Sequence, residues 1–290
     1  MLYREFSKQE ELDVEYDPAR SVPNPQDYME FFINESANAR ADLDCMLDVR
    51  FGPTIEETLD IFPATDQNAP IVIFIHGGYW RRLSSKEFSL VARGPVALGF
   101  TVVVTNYALC PKVTLPEITR QSRAAVAWLY ANVRSFAGSR ERIFVTGHSA
   151  GGHQVARLLN TLWKQDYDLP DDIIKGGFSI SGLFDLRPLR YSFLQPMLQL
   201  TEEIIRTESP LFDLPHSSPP LIGTVGGDET AEFKRQSSDY IKVLQDAGRA
   251  ASYYEQPGKN HFTAIEGFLD KSSDLCAKLS SFIAQCERKR

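Results

Sequence analysis

From about residue 70 onward, short unbroken apolar runs alternate with longer stretches of helical period. Ile71 to Ile75 (IVIFI), Thr101 to Thr105 (TVVVT), Ile143 to Thr146, Gly177 to Ser181, Leu221 to Val225 and Ala251 to Tyr254 read as strands. Apolar residues at helical spacing predict helices between them, most clearly over Leu115 to Phe136 and Glu232 to Ala247. Strands apolar at successive positions are covered on both faces, and their interleaving with helices implies parallel pairing. The pattern therefore predicts an α/β fold built on a mostly parallel sheet with helices on both sides. Leu47 to Phe51 and Glu57 to Phe62 predict a leading antiparallel hairpin.

Two stretches break the alternation within what reads as a single domain over 1–290. Residues 1–45 are polar and aromatic (Tyr3, Phe6, Tyr16, Tyr28, Phe31, Phe32), carry no strand signal and read as an N-terminal extension. Residues 183–218 separate two consecutive strands by far more than the usual short connection. At the carboxyl edge of such a sheet this reads as a lid or cap insertion, with a helical piece near Leu194 to Arg206. The closing Glu287-Arg288-Lys289-Arg290 reads as a frayed helix end.

Composition narrows the partners. A hydrophobic content of 43% and a charged content of 24% are ordinary for a soluble globular chain. The net charge of −7 gives no attraction for nucleic acid or an anionic membrane. No apolar run approaches a membrane span, and the opening MLYREFSKQEELD lacks the apolar centre of a signal peptide. Cys45, Cys110, Cys276 and Cys286 have neither metal-binding nor disulfide spacing. The expectation is a cytoplasmic protein acting on a small molecule, with no cofactor, metal, nucleic-acid or membrane partner; a homodimer is left open.

Candidate chemistry centres on Arg142 to His153, RIFVTGHSAGGH. An apolar run leads into Gly147-His148-Ser149-Ala150-Gly151, after which Val155, Leu158, Leu159 and Leu162 repeat at helical spacing. This is the strand-turn-helix setting of a G-x-S-x-G nucleophile elbow, with Ser149 at its tip. Side chains at 147 and 151 would collide where strand and helix cross. A serine hydroxyl needs a base, and the base needs an orienting acid. His261, in a loop after the strand at 251–254, is the expected base. Two acids compete: counting Gly-x-x-acid from Gly226 gives Glu229, the favoured choice, while counting from the strand end allows Asp228. Whichever is not used is a solvated carboxylate or a helix cap.

After IVIFI comes His76-Gly77-Gly78-Tyr79-Trp80, an HGG-type loop of the kind that supplies oxyanion donors. The expected donors are the N–H groups of Gly78, Tyr79 and Ala150, with His76 pinning the loop and Trp80 either core or pocket wall. His148 and His153 flank the nucleophile without an H-E-x-x-H or third-ligand pattern, and His216 reads as a surface residue.

HGGYW, GHSAGGH, the run 229–237 (ETAEFKRQS) and NHF at 260–262 together resemble the kynurenine formamidase (arylformamidase) branch of the α/β-hydrolases, within the esterase/lipase superfamily. LDIFP at 59–63, Asn106-Tyr107 with Pro111 and Leu115, and GLFDL at 182–186 extend the resemblance over roughly residues 45–265. It implies an α/β-hydrolase fold and cleavage of N-formyl-L-kynurenine to formate and kynurenine by Ser149, His261 and Glu229. Glu229 stands where the family often has Asp, and Arg81 where its eukaryotic members tend to have Gln. The substrate's amino-acid head group makes Arg81, Arg82, Arg187 and Arg190 candidate carboxylate partners, with Trp80 and Arg81 nearest the motif. The alternative is a broad carboxylesterase of small acyl esters. A non-catalytic binding protein of this fold would be expected to lack the serine or histidine.

Overall fold

The computed structural model describes residues 1–214 and 219–288. Eight strands form one sheet: β1 (Met46–Arg50), β2 (Thr58–Phe62), β3 (Ile71–Ile75), β4 (Thr101–Thr105), β5 (Ile143–His148), β6 (Ile174–Ile180), β7 (Leu221–Gly226) and β8 (Ala251–Gln256). Their order is β1-β2-β4-β3-β5-β6-β7-β8. The hairpin β1–β2 is antiparallel and joins β4 antiparallel, while β4 through β8 pair in parallel. The helices are α1 (Gln9–Tyr16), α2 (Pro25–Asp42), α3 (Arg93–Ala97), α4 (Leu115–Asn132), α5 (Ala150–Leu159), α6 (Trp163–Tyr167), α7 (Gln195–Leu198), α8 (Glu202–Glu208), α9 (Ala231–Asp246) and α10 (Asp274–Arg288).

The unbroken apolar runs now have their physical reason. In β3, Ile71, Ile73 and Ile75 enter the core beneath α4 and α5, while Val72 and Phe74 enter the opposite core with Phe32, Phe88 and Phe268. Side chains alternate across a strand, so a sheet covered on both faces needs apolar residues at every position. No helix among the described residues is long and apolar enough to cross a membrane.

Two expectations shift. The helix after Ser149 ends at Leu159, so Leu162 falls outside it and is exposed. β6 begins at Ile174, earlier than the run from Gly177, because Ile174 already pairs with Ile143 across a register irregularity. Gly176 is accommodated there because Phe282 fills the space of a side chain, 2.7 Å from where its Cβ would stand.

The two irregular stretches also resolve. Residues 1–45 contain α1 and α2, whose buried Leu12, Tyr16, Phe32 and Ala39 are too widely spaced to form a strong stripe. The expected helical piece at 194–206 is two short helices, α7 and α8, interrupted by left-handed Gln199 (φ 49°). Leu183, Phe184, Leu186, Leu189, Leu194, Leu198 and Leu200 bury this segment in the core. His216 and the last two residues of the predicted frayed end lie outside the described residues.

Candidate active site

β5 delivers the chain to Ser149, whose backbone (φ 56°, ψ −117°) lies where residues with a Cβ are strained, and α5 starts at the next residue. Such strain, about 1–3 kcal/mol, persists only where the surroundings impose it. A Cβ at Gly147 would stand 2.4 Å from the Gly151 carbonyl oxygen, and one at Gly151 only 1.9 Å from that of Ile75. The turn is fixed further by Ser149 N–H donating to the Ile180 carbonyl at 2.8 Å. As the first residue of α5, Ala150 has a backbone N–H outside the intrahelical ladder, at the positive end of the helix.

The loop after β3 comes against this turn: a Cβ on Gly77 would lie 3.1 Å from that of Ser149. Gly78 (φ 105°), Tyr79 (φ 51°) and Trp80 (φ 55°) are successive left-handed residues. Only glycine serves at 78, where a Cβ would sit 2.2 Å from the Arg82 carbonyl oxygen. Several bonds hold the loop. His76 Nδ1–H donates to Gly77 O (2.7 Å), Tyr107 Oη–H donates to His76 O (2.9 Å), and Cys110 N–H donates to Trp80 O (2.7 Å). The Tyr79 hydroxyl donates to the Tyr16 carbonyl at the end of α1, tying the loop to the N-terminal extension. His76 stacks on Tyr107 (4.1 Å, 5°), and burial pulls its pKa down to about 4, so the ring is neutral near pH 7.

β7 ends at Gly226, and Glu229 turns back under it. Its Oε2 lies 2.7 Å from His261 Nδ1, and its Oε1 accepts Gly226 N–H (2.7 Å) and Ser181 Oγ–H (2.6 Å). Asp228 is exposed, and its backbone N–H donates to Lys259 O at 3.0 Å. Of the two candidate acids, Glu229 is therefore the one that touches the histidine. The His261 ring packs between His148 (4.6 Å) and Phe233 (4.5 Å). His148 is held neutral, its pKa lowered well below the usual value by burial and then by His261, so its Nε2–H donates to His261 O at 2.9 Å.

Ser149, His148, His261, Gly78 and Tyr79 line one cleft, with Pro18, Met29, Phe32, Arg82, Leu83, Phe88 and Phe262 as its walls. Its free volume of about 30 Å³ is roughly one water's worth, so a molecule larger than water enters only as side chains at the mouth move. Half-buried Met29 and exposed Arg82 are the flexible ones. None of the described residues of 183–218 lines this cleft; the covering wall comes from the N-terminal extension instead.

The proposed substrate contacts are redistributed as well. Trp80 is fully buried, edge-on to His153 at 5.0 Å, and does not line the cleft; it packs the loop from behind. Arg81 is half-buried over the Phe193 ring (5.7 Å), also away from the cleft. Arg187 pairs with Asp185 (2.8 Å) and Arg190 with Glu202 (3.3 Å). Arg82 borders the cleft, and its side chain forms no ion pair among the described residues. His153 Nε2–H donates to Glu208 O (2.7 Å), fastening the 183–218 segment to α5, and burial lowers its pKa to about 3. Among the described residues, no three His, Cys, Asp or Glu side chains converge as a metal site.

Sequence reasoning missed Ser181, Met29, Phe32 and Pro18. Nothing in the residues around Ser181 marks its bond to Glu229; the clustered aromatics of 1–45 were the available signal for the rest.

Comparison with known proteins places the chain. The BD-FAE family matches residues 59–176. A kynurenine formamidase from Danio rerio is 31% identical over 98% of this chain and 99% of its own length. One from Drosophila melanogaster is 29% identical over 76% of this chain and 75% of its own. The esterase LipC of Mycobacterium tuberculosis is 26% identical, covering 83% of this chain and 65% of its own. Among solved structures, a Silicibacter sp. protein provisionally described as a thioesterase superposes with a TM-score of 0.83 at 29% identity, covering 93% of this chain and 99% of its own. An esterase from Pyrobaculum calidifontis (TM-score 0.70, 16% identity, 90% of this chain and 93% of its own) shares the fold.

Proposed function

The chain belongs to the kynurenine formamidase family of α/β-hydrolases, and on that premise we propose that it cleaves N-formyl-L-kynurenine to formate and kynurenine through Ser149, His261 and Glu229. That it is a hydrolase follows from the family. The observation that carries the mechanistic reading is the 2.7 Å bond between Glu229 Oε2 and His261 Nδ1, beside the strained elbow that presents Ser149.

With its Nδ1–H given to Glu229, His261 keeps the Nε2 lone pair free for a proton. His261 takes the Ser149 Oγ proton as the oxygen bonds to the formyl carbon, and the carbonyl electrons move onto oxygen. The N–H groups of Gly78, Tyr79 and Ala150 receive that oxyanion; one such donor is worth about 3–4 kcal/mol in a related hole. The imidazolium then passes its proton to the aryl nitrogen, the C–N bond breaks and kynurenine leaves. Water repeats the sequence on the formyl-serine, releasing formate and restoring the hydroxyl. Phe32, Phe88, Phe262 and Met29 offer an apolar surface to the aryl ring, and Arg82 a guanidinium to the substrate carboxylate.

The test is turnover of N-formyl-L-kynurenine by purified protein, beside p-nitrophenyl acetate and butyrate, with Ser149→Ala as control. Formamide turnover that vanishes in the variant supports the proposal; ester turnover alone would make the chain a carboxylesterase. That second reading is favoured by the esterase relatives and uses the same groups.

A further inference from the structure

Ser181 is the feature of this site that the mechanism above leaves unused. It follows β6, is fully buried and adopts φ 52°, a left-handed conformation that a residue with a Cβ takes at a cost. Its N–H donates to Thr224 O at 2.7 Å, holding that backbone against the end of β7. Its hydroxyl reaches Glu229 Oε1 at 2.6 Å, the short distance of an O–H bond to a charged acceptor.

Glu229 needs such a partner. Its side chain is only 1% exposed, and among the described residues no lysine or arginine pairs with it. A buried carboxylate without a counter-ion is sustained by hydrogen-bond donors alone. Three reach it: His261 at Oε2, and Gly226 N–H and Ser181 Oγ–H at Oε1. Gly226 lies three residues before Glu229 on the same turn, so that bond sets only the local loop. Ser181 comes from the neighbouring strand, and its bond fixes how the carboxylate plane is turned toward the histidine.

Resting on the triad reading above, we infer that Ser181 is a positioning residue: its hydroxyl locks the rotation of the Glu229 carboxylate so that Oε2 stays on His261 Nδ1. The left-handed backbone at 181 is what brings a hydroxyl to that spot.

The test is a double-mutant cycle of Ser181→Gly and Glu229→Gln, read as kcat and KM with p-nitrophenyl acetate and as Tm. Glycine suits the backbone at φ 52°, while the buried carboxylate loses one of its donors, so the two opposing effects should leave Ser181→Gly folded with Tm within about 5 °C of wild type. It should lower kcat about 10- to 100-fold, as loss of an outer partner does elsewhere, with KM within about twofold. In the Glu229→Gln background the same change should alter kcat less than about twofold, because Ser181 acts only through that carboxylate. Should the glycine variant fold poorly, Ser181→Ala gives the same cycle. Wild-type kcat in Ser181→Gly, or the same fold loss in both backgrounds, overturns the inference and leaves the triad standing. Full activity in Glu229→Gln overturns the triad itself, a distinguishable failure.

Discussion

Replacing Glu229 by Gln changes one atom of the site, and the structure says which way that atom must point. Oε1 receives Gly226 N–H and Ser181 Oγ–H, and because the backbone N–H can only donate, the amide must place its carbonyl oxygen there. Its NH₂ then faces His261 Nδ1, where the carboxylate oxygen had been at 2.7 Å. A donor at that point turns Nδ1 into an acceptor and moves the ring proton to Nε2, so the imidazole can no longer take the Ser149 proton. Turning the amide over instead sets NH₂ against the Gly226 N–H, which cannot accept, and this is worse. The corresponding change in a serine protease lowers kcat by about 10⁴, roughly 5 kcal/mol of barrier, and a loss of that order is expected here. Asp228→Asn is the matched control. That side chain is exposed and its local bond is made by the backbone, so activity should stay within about twofold. The assay is kcat with N-formyl-L-kynurenine and with p-nitrophenyl acetate, together with circular dichroism to show folding. Glu229→Gln within tenfold of wild type, or a large loss in Asp228→Asn, would remove Glu229 from the role of orienting acid.

Other predictions are more local. Gly151→Ala would drive a methyl to 1.9 Å from the Ile75 carbonyl oxygen, so it should abolish soluble folded protein; normal expression and Tm would contradict the elbow packing. His76 and His153 are neutral when folded, with pKa values of about 4 and about 3, against about 6.5 in the unfolded chain. Their contribution is therefore complete above about pH 6.5 and is lost as pH falls toward those values, each adding a slope of up to about 1.4 kcal/mol per pH unit. Urea midpoints should drop between pH 7 and 5, and His153→Gln, whose amide can still reach Glu208 O, should flatten the curve; a level wild-type midpoint would contradict this. Arg82→Gln should raise KM for N-formyl-L-kynurenine about three- to fivefold, the worth of an exposed ion pair, and leave p-nitrophenyl acetate unchanged. Equal effects on both substrates would remove Arg82 from carboxylate recognition.

How far the sequence could be read depended on whether one segment carried its own reason. The elbow was legible because strand, glycines and helix are contiguous, and the collisions at Gly147 and Gly151 are local. The central strands were legible because burial on both faces demands apolar residues at every position, as in IVIFI. Their ends were less so: β6 starts at Ile174 through pairing with β5, which its own residues do not announce. Glu229 was favoured over Asp228 by spacing, but only the contact with His261 separates them.

What stayed hidden depends on distant segments meeting. Phe32 and Met29 sit on a helix with a weak apolar stripe and gain meaning only against the cleft. The 183–218 segment reads as a cover because of its length, yet its leucines are buried in the core, and Pro18, Met29 and Phe32 of the N-terminal extension wall the cleft instead. Trp80, closing the HGG-type loop, reads from sequence as pocket wall as readily as core. Three successive left-handed residues turn it inward onto His153.

The proposed mechanism requires Ser149 to be the acylated nucleophile, activated by His261. Treating the folded protein with a fluorophosphonate and locating the adduct by peptide mass spectrometry decides this. One adduct per chain is expected, on the peptide carrying Ser149, absent in Ser149→Ala and formed far more slowly in His261→Ala. No adduct on native protein, or labelling that persists in Ser149→Ala, would contradict it.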